Sequence, residues 1–269
     1  MIFLGQDIRV ELGRRTILHG VDFSAKAGQL TAIVGPNGSG KSTLLRALCG
    51  ELAFSGRVAI NGRDVGAFKG WELAGMRAVL PQATTLAFPF TVIEVIRLGL
   101  TAGVAAGRDH LPLRALDAVG LAGYGGRFYQ ELSGGEAQRV QLARVLAQVW
   151  EPVAQGMPRW LLLDEPVSSL DIGHQLMVMQ LMRDYAARGG GVIAVLHDLN
   201  LTAMFADAVT MVHQGNIAAT GTPAEVLTDA TLSRAYGCNL RVNCAPPQGG
   251  TWLLPHAARL CHVPACRRQ

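Results

Sequence analysis

Short runs of apolar and β-branched residues, bounded by glycine-rich or polar segments, set the pattern of this chain. Leu30–Val34 is one such run, and residues 42–48 that follow it have the composition of the first turns of a helix. A second run, Trp160–Asp164, is apolar up to its last residue. Runs of this length and composition are typical of strands buried on both faces of a parallel sheet. The pattern therefore predicts an α/β fold.

A helical periodicity appears in two other places. Residues 87–91 contain an aromatic–proline turn, and residues 92–99 after it carry apolar side chains at helical spacing. Residues 224–227 follow a Gly-Thr-Pro turn and have the composition of a short helix. Helices are predicted at both positions.

The loop after the first predicted strand fits the pattern G-x-x-x-x-G-K-[ST]. Glycines in this pattern let successive backbone N–H groups surround a phosphate chain, and the following helix directs its positive end toward it. Lys41 is predicted to add a charge at the β- and γ-phosphates, and the Ser42 hydroxyl to bind Mg²⁺. Because strand, loop and helix follow in the required order, a nucleoside triphosphate site is favoured over a chance glycine-rich turn. The predicted phosphate-binding residues are Gly35, Pro36, Asn37, Gly38, Ser39, Gly40, Lys41, Ser42 and Thr43.

Two adjacent carboxylates end the second apolar run. Neighbouring side chains on an extended chain point to opposite sides, so Asp164 and Glu165 are expected to have different roles. We expect Asp164 to lie beside Ser42 and to hold Mg²⁺, and Glu165 to face the γ-phosphate and to orient or deprotonate the attacking water. An acidic pair alone is weak support, since such residues often cap helices or meet solvent.

The segment Leu-Ser-Gly-Gly-Glu-Ala-Gln-Arg at residues 132–139 resembles the signature of ATP-binding-cassette (ABC) ATPases. The resemblance extends over residues 2–236. It implies a P-loop NTPase cassette with a RecA-like parallel-sheet core, an N-terminal antiparallel β-subdomain and an inserted α-helical subdomain. It also implies ATP hydrolysis by a homodimer that sandwiches two ATP molecules. In that arrangement Ser133, Gly134 and Gly135 face the γ-phosphate held by the partner subunit.

Three further motifs match the same family in the same order. Gln82 looks like the Q-loop glutamine, which reaches Mg²⁺ and the attacking water. Asp171 closes a segment that resembles the D-loop, and His197 resembles the switch histidine that holds the γ-phosphate. A lone histidine after an apolar run would more often be a hydrogen-bonded core residue. The order of the series carries these assignments.

One position departs from the family pattern. ABC ATPases usually stack adenine on an aromatic residue near the end of the first strand, and the matching stretch here offers Leu12. An aliphatic side chain covers one face of a base but lacks the stacking contribution, about 0.5–1.5 kcal/mol beyond burial. Weak base selectivity is therefore expected.

The composition of the chain indicates that it binds another molecule. Charged residues make up 16% of the 269 residues, below the usual value of about 25%, so we expect another molecule to cover part of the surface. No uninterrupted apolar stretch reaches membrane-spanning length, and residues 1–7 lack the basic, long-apolar pattern expected of a signal sequence. The membrane-spanning part is therefore expected from another chain. The net charge of +4 is scattered rather than clustered, so no nucleic acid partner is predicted.

The segments Leu-Pro-Gln at residues 80–82 and Phe-Pro-Phe-Thr-Val at residues 88–92 most resemble the ATPases of bacterial haem importers. These ATPases lie within the group that serves iron-siderophore and cobalamin uptake. The resemblance implies two transmembrane permease subunits, a periplasmic binding protein that acts indirectly, and a peripheral position on the cytoplasmic face of the inner membrane. Phe88 and Phe90 are equally well explained as subdomain core or as permease-facing residues. A siderophore or cobalamin importer, an exporter's ATPase and a soluble ABC ATPase remain alternatives, although one cassette without a heptad insertion disfavours the last.

The predicted organisation is one cassette at residues 1–236, with the helical subdomain at about 84–150, and a short tail at 237–269. Cys49 is expected to be a small core residue, and all five thiols are expected to be free. Cys261, His262 and Cys266, with His256 nearby, could bind a metal or haem, but their spacing matches no zinc pattern and a tail without a ligand is favoured.

Overall fold

A computed structural model describes residues 1–83, 88–101, 110–244 and 255–257. The predictions for Cys261, His262 and Cys266 fall outside these residues. The described strands are β1 Ile2–Leu12, β2 Arg15–Lys26, β3 Leu30–Val34, β4 Ser55–Ile60, β5 Arg63–Asp64, β6 Arg77–Leu80, β7 Val153–Ala154, β8 Met157–Pro158, β9 Trp160–Asp164, β10 Gly191–Val195, β11 Ala208–His213 and β12 Asn216–Gly221. The described α-helices are α1 Lys41–Leu48, α2 Gly70–Met76, α3 Val92–Thr101, α4 Leu111–Ala118, α5 Gly134–Gln148, α6 Ile172–Ala187, α7 Leu199–Phe205, α8 Pro223–Val226 and α9 Asp229–Tyr236.

The central sheet has the strand order β12-β11-β3-β10-β9-β6 in the described part of the chain. All neighbours are parallel except β12, which runs antiparallel to β11. Strands β3, β10 and β9, which lie inside the sheet, are buried at every residue. This is why they read as continuous apolar runs in the sequence, and the α/β prediction is confirmed.

Alternation along the inner strands separates two hydrophobic cores. Leu161 and Leu163 of β9 face a core shared with α3 to α7, whereas Leu162 faces the opposite core, which contains α1 and the N-terminal strands. Val192 and Ile193 of β10 divide in the same way. Because side chains of a strand alternate between its faces, each inner strand contributes to both layers.

A second, antiparallel sheet with the order β2-β1-β4-β5 covers one face. Trp160 at the start of β9 joins it to the central sheet. The Trp160 indole N–H donates to Asn61 Oδ1 at 3.2 Å, and its ring meets Phe3 edge-on with centroids 5.3 Å apart. Asn61 in turn donates to Pro158 O at 2.9 Å. The buried indole thus has a partner for its polar atom, as a buried tryptophan requires.

Helices α3, α4 and α5 lie between β6 and β9 in the sequence and pack on one another. The predicted helix after the aromatic–proline turn is α3, and it begins at Val92. The two phenylalanines of the turn differ: Phe90 packs against the core, whereas Phe88 is 69% exposed. Phe90 therefore belongs with the subdomain core, whereas a permease contact of the exposed Phe88 stays a prediction.

The C-terminal part adds the short helices α8 and α9. The predicted helix at 224–227 is α8, followed by α9. No helix among the described residues combines the length and apolarity that crossing a bilayer demands. Cys49 is buried at the end of α1, as predicted, and burial raises the pKa of its thiol to about 12. The boundaries of the cassette, the helical subdomain and the tail stay predictions.

Candidate ATP site

The predicted catalytic motifs meet at one edge of the central sheet. The loop 35–40 follows β3, His197 follows β10, Asp164 ends β9 and Gln82 follows β6. These four strands are parallel neighbours in the order β3-β10-β9-β6. Their carboxyl ends therefore lie at the same edge, which is where open α/β sheets bind ligands.

The phosphate-binding loop is shaped by close backbone approaches. Gly35 has φ +145°, and a Cβ placed there would lie 2.0 Å from the Val212 carbonyl oxygen. Gly40 has φ +107°, and its Cβ would lie 3.0 Å from the Leu18 side chain. Only glycine fits both positions, so the sequence pattern has a direct steric reason here. The loop leads into α1 at Lys41, as predicted.

Lys41 is held by its own loop. Its Nζ donates to Gly35 O at 2.8 Å and to Pro36 O at 2.9 Å, and the residue is 5% exposed. Burial lowers the pKa of Lys41, while the nearby carboxylates of Glu165 and Asp164 raise it. The ammonium group is thus positioned inside the loop that is predicted to hold phosphates.

The remaining loop residues line the same turn. Ser39 is buried and its hydroxyl has no hydrogen-bond partner in the structure, whereas Asn37 and Gly38 are exposed. Thr43 is half-buried in α1. A buried hydroxyl without a hydrogen-bond partner costs free energy. A ligand that brings an acceptor into the loop would therefore lower this cost for Ser39.

Asp164 and Ser42 are in contact, as predicted. The Ser42 hydroxyl donates to Asp164 Oδ1 at 3.0 Å, and Asp164 is 5% exposed. Burial raises the pKa of Asp164, and the Ser42 hydrogen bond partly opposes this shift. Two hard oxygen donors side by side, one of them a desolvated carboxylate, are the ligands that Mg²⁺ prefers. The residues present therefore fit the predicted metal.

Glu165 joins the two other predicted catalytic residues. Gln82 Nε2 donates to Glu165 Oε1 at 3.1 Å, and His197 Nε2 lies 2.6 Å from the same oxygen. Because an ionised carboxylate only accepts, the His197 contact places the proton on Nε2. The Glu165 side chain is 15% exposed and that of His197 40% exposed. The structure thus brings all three residues together.

The prediction that Asp164 and Glu165 lie together on an extended chain is wrong. Strand β9 ends at Asp164, and Glu165 has φ +53°, in the left-handed region. The two carboxylates diverge because the backbone turns after Asp164, and not through the alternation of a continuing strand. A non-glycine residue in this region carries a strain of about 1–2 kcal/mol.

The signature segment begins α5 with a complete capping box. Ser133 Oγ accepts from Glu136 N at 3.3 Å, and Glu136 Oε2 accepts from Ser133 N at 2.9 Å. The Ser133 hydroxyl, followed by its backbone amide, lowers the pKa of the Glu136 carboxyl. Gly134 and Gly135 form the first turn, and a Cβ on Gly135 would lie 3.0 Å from Ser169 O. The signature therefore lies beside residues 169–170 of the same chain.

The predicted D-loop aspartate also caps a helix. Asp171 is the N-cap of α6, where Oδ1 accepts from His174 N at 2.9 Å and Oδ2 lies 2.7 Å from His174 Nδ1. The hydrogen bond from the His174 amide lowers the pKa of Asp171. Its local role is structural, and its role toward a partner subunit stays a prediction.

Leu12 lies at the tip of the β1–β2 hairpin. It pairs with Arg15 across the turn and is 46% exposed. Strand β2 passes beside the phosphate-binding loop, since a Cβ on Gly40 would lie 3.5 Å from Ile17 O. Leu12 is thus an exposed aliphatic side chain on the hairpin whose second strand borders the loop, and its contact to a base stays a prediction.

Sequence reasoning gave no role to Gln138. Its Nε2 donates to the Glu165 carbonyl at 2.7 Å, and its Oε1 accepts from Ser169 N at 3.2 Å. The signal in the sequence was its position on the signature helix, but a glutamine on a helix does not reveal which face meets another motif.

Fold and site together define a P-loop ATPase of the ABC class. The family profile described as ABC transporter matches residues 18–168, and the chain belongs to this family. It is therefore an ATPase that binds ATP.

Two curated relatives match nearly the whole chain. A hemin import ATP-binding protein HmuV of Jannaschia sp. (strain CCS1) is 63% identical over 254 residues, which cover 94% of each chain. The protein of the same name from Roseobacter denitrificans is also 63% identical, over 94% of this chain and 97% of its own.

Solved structures share the fold. An ATP-binding subunit of an ABC transporter has a TM-score of 0.74 and 22% identity, and the match covers 89% of this chain and 95% of that chain. A dimeric ATP-binding cassette in a post-hydrolysis state with ADP and Pi has a TM-score of 0.70 and 26% identity, over 83% of this chain and 99% of that chain. The predicted fold class, including the two sheets and the added helices, is confirmed.

The burial of Asp164 predicts a pH-dependent effect of Asp164→Asn on stability without nucleotide. Because the folded-state pKa is raised, the ionised carboxylate lowers stability above that pKa, and this loss disappears below the unfolded value of about 3.9. The melting temperature of Asp164→Asn should therefore exceed that of the unmodified chain at pH 7.5, and the difference should shrink as the pH falls toward 4.

Asp184→Asn is the matched control, since Asp184 is exposed on α6 and Asn keeps the acceptor for Gln180. Its melting temperature should stay close to that of the unmodified chain at both pH values. A lower melting temperature for Asp164→Asn at pH 7.5 would contradict the assignment of a desolvation cost to this carboxylate.

Proposed function

We propose that this chain is the ATP-hydrolysing subunit of a bacterial haem importer. The observation that carries the proposal is the near-full-length identity of 63% to relatives named hemin import ATP-binding protein, on a chain with an intact set of nucleotide motifs. The amino-acid sequence of residues 80–82 and 88–92 also resembles that of haem-importer ATPases.

The phosphate-binding loop would hold the triphosphate of ATP. Lys41 lies inside the loop within reach of two backbone carbonyls, and the buried Ser39 hydroxyl lacks a partner. A phosphate oxygen would give both groups an acceptor, and the N-terminus of α1 would add its N–H groups. Ser42, Asp164 and Gln82 would hold Mg²⁺, which when bound neutralises charge on the phosphates.

Glu165 would act as the base for the attacking water. Its Oε1 is fixed by Gln82 and His197, at 3.1 and 2.6 Å. A carboxylate held in this way is oriented before the water arrives, which is the main requirement of general base catalysis. His197 can pass from Glu165 to a γ-phosphate oxygen, because both are acceptors for its Nε2–H.

The working form would be a homodimer with two ATP molecules at the interface. Ser133, Gly134 and Gly135 lie at the N-terminus of the 15-residue helix α5, and Ser133 and Gly134 are exposed. A helix N-terminus favours anions, so this face would complete the γ-phosphate site of the partner subunit. Asp171 would lie at the same interface, and Leu12 would contact the adenine.

Two transmembrane permease subunits would receive the motion of this dimer at the cytoplasmic face of the inner membrane, with a periplasmic binding protein acting through them. Phe88 is 69% exposed and Phe128 47% exposed, and the Thr91–Phe128 bridge brings their segments together. Two exposed aromatic side chains on adjoining segments support a docking surface for the permease on the helical subdomain at about 84–150.

The transported substrate can be tested on the complex with its permease in lipid vesicles. ATPase activity should rise when a haem-loaded periplasmic binding protein is added, and should not rise with siderophore- or cobalamin-loaded binding proteins. Stimulation by one of those proteins alone would overturn haem import and leave an importer. Failure to isolate a permease, together with no stimulation, would favour a soluble ABC ATPase.

Glu165→Gln tests the proposed base. The variant should keep ATP binding, accumulate an ATP-bound dimer and lose at least about 100-fold in turnover, because the base is removed while the phosphate-binding loop is unchanged. Steady-state hydrolysis and size-exclusion chromatography with ATP measure the two effects. Glu151→Gln, an exposed change of the same chemistry, is the control. ATP-dependent dimerisation with unreduced hydrolysis would refute the role.

A further inference from the structure

The backbone of Glu165 is strained and clamped. Its φ of +53° lies in the left-handed region, which a non-glycine residue occupies only when surrounding contacts enforce it. One contact comes from strand β10, because Glu165 N donates to Val195 O at 3.2 Å. A second comes from the signature helix, because Gln138 Nε2 donates to Glu165 O at 2.7 Å.

Gln138 also holds the turn that follows. Its Oε1 accepts from Ser169 N at 3.2 Å, so one amide group binds both ends of residues 165–169. Ser168 adds two donors to the Glu165 carbonyl, its N at 3.3 Å and its Oγ at 3.2 Å. Of the donors to the Glu165 carbonyl, Gln138 lies on α5, whereas Ser168 belongs to the turn itself.

The next residue, Arg139, connects α5 to α4 within the group of packed helices α3 to α5. Arg139 is 7% exposed, and it donates to Val119 O at 3.0 Å, just after the end of α4. Consecutive residues of α5 thus face two directions: Gln138 toward the catalytic turn, and Arg139 toward α4. If α5 moves together with α3 and α4, the Gln138 amide would pass this displacement to the backbone of Glu165.

From these contacts we propose that Gln138 is a positioning residue for hydrolysis. It fixes the backbone of Glu165 and transmits the position of the signature helix to the carboxylate within one subunit. The inference rests on the proposed role of Glu165 as the base. Gln82 holds the carboxylate and Gln138 holds the backbone, and both glutamines line one cleft of about 240 Å³.

Two substitutions separate this role from simple packing. Gln138→Met keeps the length of the side chain and removes both hydrogen bonds. Gln138→Glu keeps an acceptor for Ser169 N but cannot donate to the Glu165 carbonyl. Gln141→Met is the matched control, because Gln141 lies one turn along α5, is 4% exposed and donates to Tyr129 Oη, not to the catalytic turn.

The experiment measures kcat and KM for ATP, the Kd for ATP and the melting temperature, for these three variants and for Glu165→Gln. Both Gln138 variants should lose about 10- to 100-fold in kcat with KM, Kd and melting temperature close to those of the unmodified chain. Gln141→Met should retain its kcat.

The inference is overturned if the Gln138 variants lose no more kcat than Gln141→Met, or if their loss is in KM and Kd alone. It is also overturned if Gln138→Glu retains full kcat, since the donor to Glu165 would then be dispensable. Glu165→Gln separates the two proposals: unreduced hydrolysis there defeats the role of the base, whereas a dead Glu165→Gln beside fully active Gln138 variants defeats only the inference about Gln138.

Discussion

The parallel pairing of β3, β10, β9 and β6 is the constraint on which the rest of the site depends. Its register sets Val195 opposite Asp164, so the ends of β10 and β9 coincide. A slip of one residue would turn Asp164 toward the other face and separate it from Ser42. Because β10 lies between β3 and β9, and β6 flanks β9 on the other side, His197 and Gln82 reach Glu165 from opposite sides.

Burial at this edge acts on charge as well as geometry. Desolvation lowers the pKa of Lys41 and raises that of Asp164, so both groups are shifted toward their neutral forms. Each is stabilised by a neighbour of the fold, Lys41 by loop carbonyls and Asp164 by Ser42. A ligand that brings phosphate and a divalent cation would supply stronger partners to both groups. Such a ligand should stabilise the fold by mass action.

The sequence predicted those parts of the site that depend on local pattern. The loop around Lys41 is recognisable because glycine is required where the backbone approaches Val212 and Leu18, and the Ser42–Asp164 contact follows from the order of strand and loop motifs. The direction of Glu165 was not predictable in this way, because its φ depends on contacts to β10 and α5 that are distant in sequence. Gln138 was missed for the same reason.

A structure of Glu165→Gln with ATP and Mg²⁺ bound would test the central claim that this sheet edge is the nucleotide site. We expect that Lys41 Nζ leaves the carbonyls of Gly35 and Pro36 for the phosphates, that Ser42 and Asp164 lie at the metal, and that residue 165 faces the γ-phosphate. Lys41 still bonded to the loop carbonyls, with the nucleotide bound away from this edge, would contradict it.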